Sequence, residues 1–480
     1  MPAVSTLPLI TGTAGADAFL WAQGRTTTAA QFLQQVHLLA RQLPAGRYAV
    51  NLCEQRDHFL LAWCAVVVRG QTNLLPASRA PQVVEEVGAA YRDSYLLDDA
   101  RVLQALAGAG PGPVPDPAGA DTEGMGAAAG VPDAATAPGG APAVPVIPAA
   151  QVVQIAFTSG STGAPRAHAK RWGSLHHNIA HNAARIRECL APRYGQVRPW
   201  VVATVPPQHM WGAETTVLMP LLQAMAVHAG RPLFPADVAQ ALSEVPEPRV
   251  LVTTPVHLRT LVAAAQAFPP VGAVVSATAP LPVELAREVE CVFGAPMLEL
   301  FGSTETCVIA SRLTAREQAW RLYPGVNVEP HADHALVDAP WFDQPTPLQD
   351  LVEPAGEGRL FIRGRNADMI EVAGKRASLA DLTRRLLEVP GVRDAVVFQP
   401  DEAAHAVGAT GVHRVAALAV APGLTAHDIA AQLARAMDPV FLPRPLLLVA
   451  ALPRNDTGKL DRAALLGLVR AGAPEGAQPG

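Results

Sequence analysis

Thr158-Ser-Gly-Ser-Thr-Gly163, continued by Ala164-Pro165-Arg166, is the stretch on which the reading of this sequence turns. It follows the apolar run Val152-Val-Gln-Ile-Ala-Phe157, which predicts a buried strand. Hydroxyl residues interleaved with glycines make a donor-rich loop. Such a loop can turn successive backbone N–H groups onto one anion, with Ser and Thr hydroxyls as further donors. Arg166 and Lys170 add positive charge beside it. The physical expectation is a triphosphate cradle, although the G-x-x-x-x-G-K-[ST] pattern of the P-loop is absent. A Ser/Gly surface turn has the same composition, so the rest of the chain must decide.

With 480 residues, the chain is long enough for two or three domains. Half of it is hydrophobic and only 16% is charged, which predicts large buried cores. A net charge of −5 offers no basic footprint and argues against nucleic acid as the main partner. The longest apolar runs, such as Phe59 to Val68, are too short to span a bilayer. No basic segment followed by an apolar stretch opens the sequence, so a cytoplasmic location is expected. The five cysteines, at 53, 64, 189, 291 and 307, are widely spaced and read as reduced residues rather than a disulfide or zinc framework.

Along the chain, helix-like and strand-like segments alternate from the N-terminus, which predicts an α/β sheet covered by helices. Thr28 to Arg41 has helical spacing with Thr27 or Thr28 as N-cap; Arg47 to Cys53 reads as a strand and Phe59 to Val68 as a buried helix. Residues 107–148 are Ala, Gly and Pro with few large apolar side chains, and read as a flexible loop. Val201–Val205, Val250–Thr254 and Ala273–Ser276 look like parallel strands, each running into a Pro- or Gly-containing loop. Ligands of open α/β sheets bind at such strand ends. Two further loops carry chemistry: Pro206-Pro-Gln-His-Met-Trp-Gly212, and Leu298-Glu-Leu-Phe-Gly-Ser-Thr-Glu-Thr306. Beyond about 366 a small α+β unit is expected. Its helices are Asp381–Val389 and Thr425–Met437, its strands Val392–Phe398 and Arg414–Val420, and the polar loop Pro453 to Arg462 follows.

Taken together, these motifs resemble the adenylate-forming (AMP-binding) superfamily, which includes acyl- and aryl-CoA ligases and the adenylation domains of peptide synthetases. Thr158–Gly163 is similar to its phosphate loop, and Phe301-Gly-Ser-Thr-Glu305 to its aromatic-Gly-x-Thr-Glu motif. Gly364-Arg365 with Asp368 and Gly374-Lys-Arg376 resembles its interdomain junction, and Asn455-Asp-Thr-Gly-Lys459 its catalytic-lysine loop. Four separated motifs in the family's order are far more specific than any one. The resemblance implies an α/β fold. A large N-terminal adenylation domain of several subdomains, with parallel and mixed sheets, would span 1–365, including the 107–148 loop. A small mobile C-terminal α+β domain would span 366–470, and 471–480 would be a disordered tail.

The resemblance also implies roles. Thr158, Ser159, Gly160, Ser161, Thr162, Gly163 and Arg166 would hold the phosphates of ATP, and Thr304 would contact the α-phosphate. Glu305 would hold Mg2+, and Lys459 would reach the substrate carboxylate and the α-phosphate together. Phe301 would stack on adenine, with Gly302 beside it in the nucleotide site and Ala277 lining the other side; Asp350 and Arg365 would bind the ribose. His209, Met210, Trp211 and Gly212 would border the acyl pocket, in a loop that gates the thiol tunnel, and His209 joins Lys459, Glu305 and Thr304 among the catalytic candidates. The small domain would turn about residues 365–368 between adenylation and thioester formation. The acceptor would be CoA or the phosphopantetheine arm of an acyl carrier protein acting in trans.

Three departures from the family's pattern stand out. Arg166 replaces a common lysine, and Ala367 occupies the usual hinge position. The Glu305–Asp350 interval is short, and Pro347-Leu-Gln-Asp350 replaces the usual Thr-Gly-Asp. His209-Met-Trp-Gly212 lies where amino-acid-activating domains place an aspartate, which favours an aryl, hydroxy or fatty acid as the small-molecule substrate. An amino-acid-activating domain and a non-catalytic nucleotide-binding scaffold stay open as alternatives.

Overall fold

A computed structural model of the chain describes residues 5–76, 79–107, 142–158, 166–264, 266–331, 334–365, 369–372, 375–400, 415–437, 439–455 and 458–472. It divides into two compact units. The first is Met1–Pro280 with Leu285–Ala315 and Trp341–Asp343; the second is Leu281–Glu284 with Arg316–Pro340 and Gln344–Gly480. The fold is α/β, with parallel and mixed sheets.

Two large sheets build most of the first unit. In one, the strands run Ser94–Leu97, Tyr48–Asn51, Thr72–Leu75, Val152–Thr158, Arg166–Arg171, all parallel except the last pair. In the other, Trp200–Ala203, Arg249–Thr253, Ala273–Ser276 and Met297–Ser303 are consecutive parallel neighbours, and Cys307–Leu313 returns antiparallel. The four residues of Ala273–Ser276 are all buried, as a strand inside a parallel sheet must be when both faces are covered.

The helices follow from the sequence in two ways. Ala29–Gln42 is amphipathic, burying Phe32, Leu33, Val36 and Leu39. Thr28 caps it in a reciprocal box: Gln31 N donates to Thr28 Oγ1 (3.3 Å), and Thr28 N to Gln31 Oε1 (2.9 Å). Thr28→Ala should cost about 1 kcal/mol, read as a lowered urea midpoint. Arg56–Val68 is apolar all round, and accordingly buried on nearly every face. Its Trp63 Nε1 donates to Gln154 Oε1 at 3.1 Å, so the one polar group of a fully buried indole is satisfied.

Residues 108–141 of the Ala/Gly/Pro-rich stretch lie outside the described residues. The loop expected to run to residue 148 in fact ends sooner, because Val146–Pro148 is a strand antiparallel to Thr6–Pro8. Ile147 supplies the reason: it is buried, 3% exposed.

In the second unit, Asp350–Pro354 and Trp320–Leu322 flank Arg359–Arg365, both antiparallel. Further on, Ala416–Val420 lies between Asp394–Phe398 and Leu446–Leu448. Strand alternation builds two layers here. Ala395, Val397, Ala417 and Ala419 pack with Leu386, Ile429 and Leu433 of two helices. Val396, Phe398, Ala416 and Leu418 pack with Leu465 and Val469 of the last helix, Arg462–Gly472. The proposed disordered tail lies almost wholly beyond the described residues.

Candidate active site

In the first unit, the strand Val152–Thr158 ends with Thr158 opposite Arg166. Ser159, Gly160, Ser161, Thr162 and Gly163 lie outside the described residues. After the loop, Arg166, His168 and Lys170 alternate along one strand, so they share a face. Thr158 Oγ1 and His168 Nε2 are 3.0 Å apart, and the same nitrogen is 3.5 Å from Glu305 Oε1. Lys170 Nζ donates to the Glu305 main-chain oxygen at 2.6 Å. One strand thus brings the base of the predicted phosphate loop against the predicted metal-binding carboxylate.

Glu305 sits in a tight turn between Met297–Ser303 and Cys307–Leu313, paired through Ser303 and Cys307. Ser303 N donates to Thr306 Oγ1 and Thr306 N to Ser303 Oγ, each at 3.2 Å. Cys307 closes the turn at φ 58°. Gly302 is required by close approach: a Cβ there would lie 2.1 Å from the Cys307 oxygen. Burial raises the Glu305 carboxyl. Its own backbone amide, the Ser303 hydroxyl, His168 and Lys170 outweigh burial, so the group ends below its ordinary range. The result is a half-buried carboxylate held ionised. His168 is pushed below the ordinary imidazole value by burial, against the pull of Glu305.

Phe301 and Thr304 are half-buried on the same strand and turn. Ala277, 8% exposed, follows Ala273–Ser276 at its C-terminal end, next to Thr278 at φ 81°. Ser276 Oγ there is buried without a hydrogen-bond partner.

The expected Pro206–Gly212 loop is corrected in its second half. Met210–Ala213 is helical, with His209 at the N-cap, and continues as a π-helix, Glu214–Leu218, and then Met219–Leu222. Gly212 makes this possible, since a Cβ would lie 1.8 Å from the Pro206 oxygen. Met210 and Trp211 are buried, each 8% exposed. The Trp211 indole donates to the Thr253 oxygen at 3.3 Å, and Gln154 Nε2 to Met210 Sδ at 3.4 Å.

In the second unit, Asp350 is buried and stands opposite Arg365 in the strand pair. Lys459 is exposed. Its N donates to Asn455 Oδ1 at 2.9 Å, and its oxygen accepts from Asn455 N at 2.8 Å. Arg454 Nη1 donates to the Gly458 oxygen at 3.0 Å, and Nη2 grips both Asp394 oxygens at 2.9 and 3.0 Å. Asp456, Thr457, Ala367, Asp368 and Gly374 lie outside the described residues.

His168, the setting of Lys170 and Glu214 were not singled out as functional from the sequence. Three basic residues at every second position after the phosphate loop were the available signal for the first two.

The sequence profile of the AMP-binding enzyme family matches residues 11–367. This chain is an AMP-binding enzyme. Among curated AMP-binding relatives, it is 33% identical over 235 residues to 4-coumarate–CoA ligase of Rhodobacter capsulatus, covering 49% of this chain and 57% of that protein. It is 25% identical over 346 residues to indoleacetate–CoA ligase of Aromatoleum aromaticum, covering 64% and 65%. The matched stretches therefore fall short of two thirds of these relatives' lengths. Among solved structures, o-succinylbenzoate–CoA synthetase of Bacillus subtilis superposes with a TM-score of 0.74 at 16% identity, covering 96% of this chain and 98% of that one. The amide bond synthetase McbA of Marinactinospora thermotolerans superposes at 0.72 and 20%, covering 95% and 97%. Both likenesses are of the fold.

Among the described residues, no group of three or more His, Cys, Asp and Glu could hold a metal by itself. A single ionised carboxylate suits Mg2+ that arrives on ATP, since Mg2+ keeps several waters and takes one or two carboxylates plus substrate phosphates. No described helix is long and apolar enough to cross a membrane.

Proposed function

We propose that this AMP-binding enzyme activates a carboxylic acid with MgATP as its acyl-adenylate, then passes the acyl group to a thiol, making it an AMP-forming acid–thiol ligase. A carboxylate oxygen attacks the α-phosphorus, and the bond to the β-phosphate oxygen breaks, releasing pyrophosphate with the electron pair. The thiolate then attacks the acyl carbonyl and AMP leaves. Such chemistry needs alignment and charge neutralisation more than covalent help. Bound Mg2+ would supply positive charge against the charge that develops in this step. Thr158, Arg166 and the loop between them bind the phosphates, and Thr304 meets the α-phosphate. Glu305 would hold the metal, Phe301 and Ala277 would flank adenine, and Asp350 and Arg365 would take the ribose. Lys459 stabilises the transition state.

The observation that carries this reading is the meeting of Thr158, His168, Lys170 and Glu305. An ionised carboxylate fixed beside the root of a Ser/Gly/Thr loop is what a metal–triphosphate requires. The buried Met210 and Trp211 favour an aryl, hydroxy or fatty acid as substrate. CoA is supported as the thiol by the relatives named CoA ligases. A carrier-protein phosphopantetheine is supported by a fatty-acid–acyl-carrier-protein ligase of Mycobacterium tuberculosis, 33% identical over 118 residues, covering 24% of this chain and 22% of that one.

The test is ATP–pyrophosphate exchange over benzoic, cinnamic, hydroxy, fatty and amino acids. Exchange with one class of acid lacking an α-amine is expected. Exchange with amino acids alone would replace the substrate reading. ATP binding without exchange for any acid would count against activation altogether.

A further inference from the structure

Arg56 is 1% exposed, although it opens the helix Arg56–Val68. Neither circumstance favours a cation. Burying a charge without a counter-charge is costly, and the first turn of a helix is its positive end. Main-chain oxygens from the other large sheet offset that cost. Arg56 Nη2 donates to the Ala203 oxygen at 2.8 Å and the Val205 oxygen at 3.0 Å, with the Gly230 oxygen at 3.4 Å. Ala203 ends the strand Trp200–Ala203, and Gly230 lies just beyond its parallel neighbour Ala226–His228. None of these acceptors is a carboxylate, and Arg56 Nε and Nη1 are buried without a hydrogen-bond partner among the described residues. The guanidinium is thus committed to holding backbone at the ends of two strands.

A second bond joins the same stretches in the opposite direction. Gln208 Nε2 donates to the Cys53 oxygen. Cys53 is itself fixed, since its N donates to Asn51 Oδ1 at 3.2 Å and Asn51 Nδ2 donates to the Phe59 oxygen at 3.3 Å. Residues 53–56 and 203–208 therefore grip each other through one side chain from each. The reason for this device lies in the sequence between Val205 and Gln208. Pro206 and Pro207 have no N–H, so no ladder or helix bond can hold the chain through them. It is held instead through a carbonyl, by a donor-only guanidinium, and through the amide of Gln208. The gripped segment leads straight into His209, Met210 and Trp211, the residues expected to border the acyl pocket. Beyond it, Gln154 holds Met210 and the Thr253 oxygen holds Trp211.

We propose that Arg56, with Gln208, is a positioning residue for the acid substrate: it fixes the segment from Val205 to His209, so that His209, Met210 and Trp211 meet the acid in one arrangement. This rests on the proposed activation of a carboxylic acid in a pocket bordered by those residues. Adenylation depends on aligning a carboxylate oxygen with the α-phosphorus, and a misplacement of about 1 Å from a change far from the chemistry costs about a hundredfold. The proposed adenosine and phosphate contacts lie on other strands and turns, so the acid side of the reaction should feel the loss first.

ATP–pyrophosphate exchange by the full chain, with acid and ATP varied separately and melting temperatures measured alongside, tests this. Arg56→Met is expected to lower kcat/KM for the acid about tenfold to a hundredfold, with KM for ATP unchanged. Arg56→Lys, which keeps a charge and three donors, should recover part of the loss. Gln208→Leu leaves Arg56 in place and should give the same split, and it decides the matter if Arg56→Met does not fold. The double variant should lose less than the product of the two single losses, because both side chains hold one segment. Equal losses on the acid and ATP sides in folded variants would overturn the proposal. So would wild-type acid kinetics in Gln208→Leu, or losses that simply multiply. If the wild-type chain exchanges with no acid, the activation reading falls and this inference with it. Exchange by the wild type with unaltered acid kinetics in the variants removes this inference alone.

Discussion

Lys459→Ala should lower ATP–pyrophosphate exchange by about a hundredfold or more while leaving the melting temperature unchanged. The first half follows from charge. When a carboxylate attacks a phosphate ester, two anionic groups must approach, and a full positive charge between them acts most strongly at the transition state. A hundredfold loss is about 2.7 kcal/mol of transition-state stabilisation, within the range seen when one preorganised donor is removed. The second half follows from the turn. The side chain is exposed, and the turn is held by main-chain atoms of residue 459, which alanine retains. Arg454, whose Nη2 donates to both carboxylate oxygens of Asp394, anchors the same turn to the strand Asp394–Phe398. Lys459→Arg should recover only part of the rate, because a planar guanidinium does not replace a compact ammonium. Exchange kcat/KM with the acid identified in the panel is the measurement. Wild-type exchange in Lys459→Ala would remove this residue from the adenylation step.

Much of the fold was legible because its signals are local. Ala273–Ser276 falls where it was read, since a short apolar run closed by a turn residue has few other uses. Thr27 and Thr28 were the N-cap candidates for the helix Ala29–Gln42; the structure selects Thr28, with Gln31 three residues on completing the box. The segment after Pro206 was harder. Two prolines and Gly212 imitate a loop, yet Gly212 is there to let a helix begin against the Pro206 oxygen. The π-helix at Glu214 has no sequence signature of its own.

The candidate site was legible in its motifs and not in its wiring. Thr158, Thr304 and Glu305 stood out only because their short stretches recur together, in the family's order, with the other motifs. Lys170 was visible only as a charge near the loop. Its partner oxygen at Glu305 is 135 positions away, and no periodicity records a contact of that range. His168 could have been found, because Arg166, His168 and Lys170 alternate on one strand face. Glu214 could have been suspected as a lone acid in an apolar helix, but its partner Asn182, on another helix, meets it only once the fold is assembled.

Gly302→Ala should lower the melting temperature and nearly abolish exchange, although it adds only one methyl group. That methyl would lie 2.1 Å from the Cys307 oxygen and 2.6 Å from the Val308 Cα. Both are backbone atoms, so no rotamer change relieves the clash. Neither can easily retreat. Cys307 is already at φ 58°, and Val308 is held by its strand and by Asn178, which donates to its oxygen at 2.6 Å. Overpacking of this kind costs about 1–3 kcal/mol, and here the strain falls on the turn that carries Thr304 and Glu305. Activity should therefore fall further than stability. Gly467→Ala is the matched control. Gly467 lies in the helix Arg462–Gly472, where an added Cβ meets nothing within 4 Å. Alanine there should stabilise by about 0.5–1 kcal/mol, because it restricts the unfolded chain and favours the helix. Thermal melts and exchange rates of the two variants separate the effects. A stable but inactive Gly302→Ala would show that the turn, and not the sheet, absorbs the added methyl. Wild-type values for both quantities would mean that the two strands separate freely at Gly302, and that the geometry around Glu305 is not fixed by this close approach.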